Sequence, residues 1–78
     1  MRKIFVEINV HYDKDGNMKP ISIEWEDGRI FAIDRILGVC RAASLKAGGQ
    51  GIRYTCRING QITYVFYEGP KWFVEGKE

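Results

Sequence analysis

From Lys3 to Tyr12 the chain alternates, with Ile4, Val6, Ile8 and Val10 on one parity and Glu7, Asn9 and His11 on the other. A period of two built on β-branched residues predicts a half-buried strand. The next segment, Asp13-Lys14-Asp15-Gly16-Asn17, is dense in residues that accept turn geometry. Pro20 opens a second strand, where a missing amide is tolerated, with Ile21, Ile23 and Trp25 expected inward opposite Ser22, Glu24 and Glu26. Asp27-Gly28 predicts a two-residue hairpin turn.

A third strand starts at Arg29, with Phe31 and Ile33 on the buried parity and Leu37 and Val39 continuing it. Arg35 falls on that parity too, and an unpaired guanidinium in a small core is costly. A bulge or sharp bend is therefore expected near Asp34-Arg35-Ile36, where a small barrel would turn a corner, with Gly38 able to serve the same bend. Residues 42–51 are expected as a loop with room for one helical turn. A longer helix over residues 35–47, capped by Asp34, is weakened by Ile36, Gly38 and Val39.

The fourth strand alternates Ile52, Tyr54, Cys56 and Ile58 against Arg53, Thr55 and Arg57, and Asn59-Gly60 is a strong hairpin signal after it. Gln61 to Tyr67 forms a fifth strand, apolar or aromatic on both faces. Glu68-Gly69-Pro70 turns into a last strand, Lys71 to Glu75, with Trp72 and Val74 on one side. Six strands joined by tight turns make an all-β antiparallel meander. A strongly bent sheet or a small SH3-like barrel would bury one face and hide the edges. The expected core is Ile4, Val6, Ile8, Ile23, Trp25, Phe31, Ile33, Leu37, Tyr54, Ile58 and Phe66.

Length narrows the picture. The 78 residues make one domain, 1–78, and a chain of this size buries only about 60% of its unfolded surface. No apolar run approaches the ~18 residues of a membrane helix, so no membrane partner is expected. The apolar stretch after Arg2-Lys3 is interrupted by Glu7 and Asn9, unlike a signal peptide. Two cysteines make no disulfide framework and point to a reducing, cytoplasmic setting.

Charge changes the picture more. Residues 1–34 carry five basic and seven acidic side chains, whereas residues 35–67 carry Arg35, Arg41, Lys46, Arg53 and Arg57 and no acid. Such segregation suggests a basic surface on an otherwise acidic or neutral body.

Trp25-Glu26-Asp27-Gly28-Arg29, Ile33-Asp34-Arg35-Ile36-Leu37 and Gly51-Ile52-Arg53-Tyr54-Thr55, with Tyr64-Val65-Phe66 and Trp72-Phe73-Val74-Glu75, together resemble a family of small uncharacterised bacterial proteins. The resemblance runs from about Pro20 onward. It implies a compact bacterial cytosolic protein and carries over no catalytic or binding residue.

Catalytic chemistry finds little support. His11, the single histidine, lies on the polar parity beside a turn. Glu24, Glu26 and Asp27 cluster at a hairpin, where carboxylates are ordinarily solvated or paired with arginine. His11, Cys40 and Cys56 lack the spacing of a zinc site, and Cys56 reads as a buried small hydrophobe. In Leu45 to Gly51 the lysine precedes the glycines and a strand comes after them, the reverse of a P-loop, although contact with a nucleic-acid phosphate fits there. No enzyme activity, cofactor or metal is expected.

Binding is the better reading. Arg53 and Arg57 project from one face of the fourth strand, and because Tyr64 and Tyr67 sit on opposite parities, one of them must join that face. Arginines hold phosphates and tyrosines offer stacking surfaces to unpaired bases. The expected interface with single-stranded nucleic acid is Arg41, Lys46, Arg53, Arg57, Tyr64 and Tyr67. The alternative is a protein-interaction or homodimerising module that uses exposed aromatics and binds no nucleic acid.

Overall fold

The computed structural model describes residues 2–41 and 51–76. Its elements are seven strands: β1 Arg2–Tyr12, β2 Met18–Glu24, β3 Ile30–Ala32, β4 Arg35–Arg41, β5 Ile52–Ile58, β6 Gln61–Glu68 and β7 Lys71–Gly76. All pairings are antiparallel, in the order β3-β2-β1-β7-β6-β5-β4. The fold is all-β, a seven-stranded sheet curled into a half-barrel.

Two features curl it. The first half of β1 pairs with β7 and its second half with β2, so one long strand serves both parts of the sheet. The second is the step from β3 to β4. These strands lie at opposite ends of the sheet order, yet only Ile33 and Asp34 separate them. Ile33 N–H donates to Ile21 O and Asp34 N–H to Arg57 O, both at 2.9 Å, so neighbouring amides bond to opposite ends of the sheet. This is the corner expected near Asp34. It divides the expected third strand in two and raises the strand count from six to seven.

The turns obey local chemistry. Asn59 (φ 51°) and Gly60 (φ 75°) both have positive φ and join directly paired Ile58 and Gln61, the two-residue turn expected there. At Asp27-Gly28 only Gly28 has positive φ, and Trp25 N–H donates to Arg29 O at 2.7 Å. The connection is therefore a three-residue loop, Glu26 to Gly28, rather than a two-residue turn, with glycine in the left-handed position that closes such loops. After β1, the Asp13 carboxylate accepts from the amides of Asp15 and Asn17, both at 2.9 Å, and from Asn17 Nδ2 at 3.0 Å. These bonds hold its carboxyl below the usual carboxylate value, the Asn17 amide contributing most.

Inside the curl, Ile23, Tyr54, Cys56, Ile58, Val65, Trp72 and Val74 form the buried cluster. Ile4, Val6, Ile8, Val10, Trp25, Phe31, Ile33, Ile36 and Tyr67 pack against it. Trp72 is its aromatic centre, 4.8 Å from the Tyr67 ring and 5.5 Å from Tyr54.

Four positions expected to face inward, Ile21, Leu37, Val39 and Phe66, are corrected. Two β-bulges account for the first two, because an extra residue in one strand reverses the parity of the residues beyond it. In β2, Val10 pairs with Pro20 but Asn9 with Ser22, so Ile21 is the additional residue; it is 43% exposed, and Pro20 takes the buried place. In β4, Ile36 pairs with Cys56 and Gly38 with Thr55, so Leu37 is additional and 44% exposed, while Ile36 packs on the core. The same edge strand leaves Val39 exposed. Fourth, Phe66 belongs to the outer face, stacked on Phe73 at 4.9 Å between centroids. That stack continues to Phe5, edge-on to Phe73 at 5.8 Å. Lys3 covers it, with Nζ 4.8 Å over Phe73 and 3.0 Å from Glu68 Oε2.

Candidate nucleic-acid interface

Residues directly opposite in an antiparallel ladder share a face, so the registers of β4, β5 and β6 define three rows across the outer surface. Arg35, Arg57 and Ile62 form the first; Gly38, Thr55 and Tyr64 the second; Cys40, Arg53 and Phe66 the third. Alternate residues along a strand lie about 6.8 Å apart, so the second row runs between two arginine-bearing rows. It is shallow, because Gly38 brings no side chain and has open space where a Cβ would stand. The bulge at Leu37 sets this arrangement by placing glycine, instead of leucine, opposite Thr55.

Among the described residues the arginines on this face are held without carboxylates. Arg53 faces Cys40 on one side and Phe66 on the other, and Arg57 faces Arg35 and Ile62. The ion pairs found among the described residues, Lys3–Glu68 and Arg29–Asp27, involve neither. The Arg53 guanidinium lies 4.8 Å over the Tyr64 ring, and its Nε is buried with no hydrogen-bond partner among the described residues. Tyr64 and Ile62 are 45% and 53% exposed. The face therefore offers guanidinium groups unpaired among the described residues, a hydroxyl at Thr55 and an exposed aromatic ring within a few residues of one another.

The expected site residues separate. Arg53, Arg57 and Tyr64 come together. Tyr67 lies inside against Trp72. Arg41 pairs with Ile52, on the face of Tyr54 and opposite to that of Arg53. Lys46 and residues 42–50 of the loop expected at residues 42–51 lie outside the described residues. Arg35 is the member that sequence reasoning misses: alternation puts it on the inward parity, and the corner at Asp34 turns it outward, exposed and level with Arg57. The signal in the sequence is the cost of burying a guanidinium there.

Among the described residues nothing comparable converges on the concave side. A cleft of about 410 Å³ opens between Ile23, Trp25, Phe31, Ile58 and Val74. The guanidinium at its rim, Arg29, is already bonded to Asp27 at 2.6 Å and stands over Phe31. Of the cysteines, Cys40 is exposed and Cys56 buried, both free thiols, and burial pushes the Cys56 thiol up to about 11. No group of three or more metal-ligating side chains occurs among the described residues, nor does a helix long and apolar enough to cross a membrane.

Comparisons with protein families, with curated proteins and with solved structures give no match, so the functional reading rests on this geometry.

Proposed function

We propose that the outer face of β4–β5–β6 binds single-stranded nucleic acid, in a reducing cytoplasmic setting. Arg35 and Arg57 engage the backbone on one side of the Gly38-Thr55-Tyr64 trough and Arg53 on the other, while Tyr64 offers its exposed surface to an unpaired base. The observation that carries this reading is the Arg35–Arg57 pair, two cations directly opposite in the ladder with no carboxylate paired to either among the described residues. Like charges so placed destabilise a sheet, and a phosphate between them relieves the repulsion. A bidentate guanidinium–phosphate geometry suits such a site.

Phosphate contacts position a strand without reading its bases, so binding is weak and nearly indifferent to sequence. Three contacts give a slope of log affinity against log salt of about −2 for a single strand. The test is fluorescence anisotropy with labelled single-stranded DNA and RNA of mixed sequence at about 50 and 200 mM salt. Arg53→Glu with Arg57→Glu removes most of the binding while the circular dichroism of the sheet is retained. Absence of binding at low salt, or binding indifferent to the double reversal, overturns the proposal.

A further inference from the structure

The basic pair has an acidic counterpart at the other end of the sheet order. Glu7 of β1 and Glu24 of β2 are direct partners in register, and Glu24 is in turn opposite Ile30 of β3. Neither glutamate pairs with a cation among the described residues. The outer surface thus carries a row Glu7–Glu24–Ile30 on β1–β2–β3 and a row Arg35–Arg57–Ile62 on β4–β5–β6. Each row has two like charges abreast and then an exposed isoleucine, Ile30 at 62% and Ile62 at 53%. β7 and the first half of β1 lie between them in the sheet order, so the two rows do not neutralise each other through the ladder.

We propose that these rows are the two halves of a self-association surface, the Glu7–Glu24–Ile30 row of one copy docking on the Arg35–Arg57–Ile62 row of the next. The occupant is a second copy because the chain itself presents both charge patterns, each with an exposed isoleucine beside the charged pair. Contact relieves two like-charge repulsions at once and covers two exposed isoleucines. Two different surfaces are used, so the contact is heterologous: each copy retains a free acidic and a free basic end, and assembly grows with concentration without stopping at a dimer. The contact is small and rim-like, hence weak and strongly dependent on salt. It occupies the same arginines assigned above to phosphate, but it does not require that assignment to hold.

The test is sedimentation velocity of the whole chain at increasing protein concentration in low and high salt. The expected result is a concentration-dependent rise in average mass at low salt, with affinity falling at least ~10-fold at high salt. Glu7→Lys with Glu24→Lys abolishes association, and so does Arg35→Glu with Arg57→Glu. Mixing the two variants restores it as an alternating assembly, because every surface again meets its opposite. A wild type that stays monomeric in low salt overturns the proposal, as does association indifferent to either reversal or a mixture that fails to associate. Oligonucleotide binding by dilute Glu7→Gln/Glu24→Gln protein, which gains no new cation pair, separates the two readings. Its arginine row is intact, so binding there without wild-type self-association sinks only this proposal, and the converse result sinks only the nucleic-acid reading.

Discussion

Arg35 and Arg57 stand directly opposite each other in the β4–β5 ladder, both exposed, on the strand pair that also carries the corner of the half-barrel. Asp34, the residue before Arg35, donates its amide to the Arg57 carbonyl, so the backbone that turns the corner also brings the two guanidinium groups level. Repulsion between them is built into the fold. Arg35→Glu converts the pair to an attractive one and should raise stability by about 0.5–1 kcal/mol at low salt, less at high salt. Urea midpoints of the two proteins check this, and the same variant should bind oligonucleotide more weakly. A midpoint that falls instead would show that Arg35 supports the fold.

The turn at Asn59-Gly60 rests on backbone conformation alone. Gly60 has φ 75° and open space where a Cβ would stand, so any cost of a side chain comes from the dihedral angle rather than a clash. Gly60→Val should destabilise by about 1–2 kcal/mol, and Gly60→Asn by much less, since asparagine accepts this region. Denaturant titration of both variants distinguishes a dihedral cost from a packing one.

Of the two tryptophans, Trp72 is 7% exposed and packed between Tyr54 and Tyr67, whereas Trp25 lies half-buried at the edge of the cluster. Trp72→Ala should cost about 3–5 kcal/mol, which approaches the whole stability of so small a domain, and Trp25→Ala clearly less. Thermal unfolding of both variants should rank them in that order. A reversed ranking would mean the cleft-side wall, and not the Tyr54–Trp72–Tyr67 stack, anchors the core.

The two thiols should differ in reach and acidity. Cys40 is exposed on the edge strand, and Cys56 is buried with its thiol raised to about 11. Iodoacetamide at mildly alkaline pH should add one group to the native protein, at Cys40, and two after denaturation. Because the folded state holds the Cys56 proton more tightly than the unfolded chain does, its contribution to stability is complete below the ordinary thiol value. It is lost as pH rises from there through about 11. Cys56→Ala should flatten that alkaline decline.

At the acid end the sign is opposite. The Asp13 carboxyl is depressed by the amides of Asn17 and Asp15, so its contribution is present above the ordinary carboxylate value and disappears as pH falls through the lowered one. Stability of the wild type should therefore fall more steeply with acidification than that of Asp13→Asn, which carries no titrating group there. Urea midpoints measured from neutral to acid pH test this; parallel curves would remove Asp13 from the account.

Local chemistry in the chain is enough for the all-β class, the alternating faces of β1 and β5, the Asn59-Gly60 turn and the need for a corner near Asp34. Each of these depends on neighbours two to four residues apart, the range over which the pleat and turn geometry act. The outward arginines of β5 are legible for the same reason. Tertiary structure decides the rest. Whether Leu37 or Ile36 faces the core, and whether Ile21 or Pro20 does, depends on single-residue bulges, and a bulge exists only through pairing with a distant strand. The exchange of Tyr67 for Arg35 at the candidate site comes from the same kind of pairing: Tyr67 stacks inside on Trp72, and Arg35 is turned out where one chain step joins the two ends of the sheet. The meeting of Glu7 with Glu24, seventeen residues apart, and of Arg35 with Arg57, twenty-two apart, is likewise a matter of ladder register. Alternation assigns a residue to a face, but only the partner strand determines which charge stands beside it.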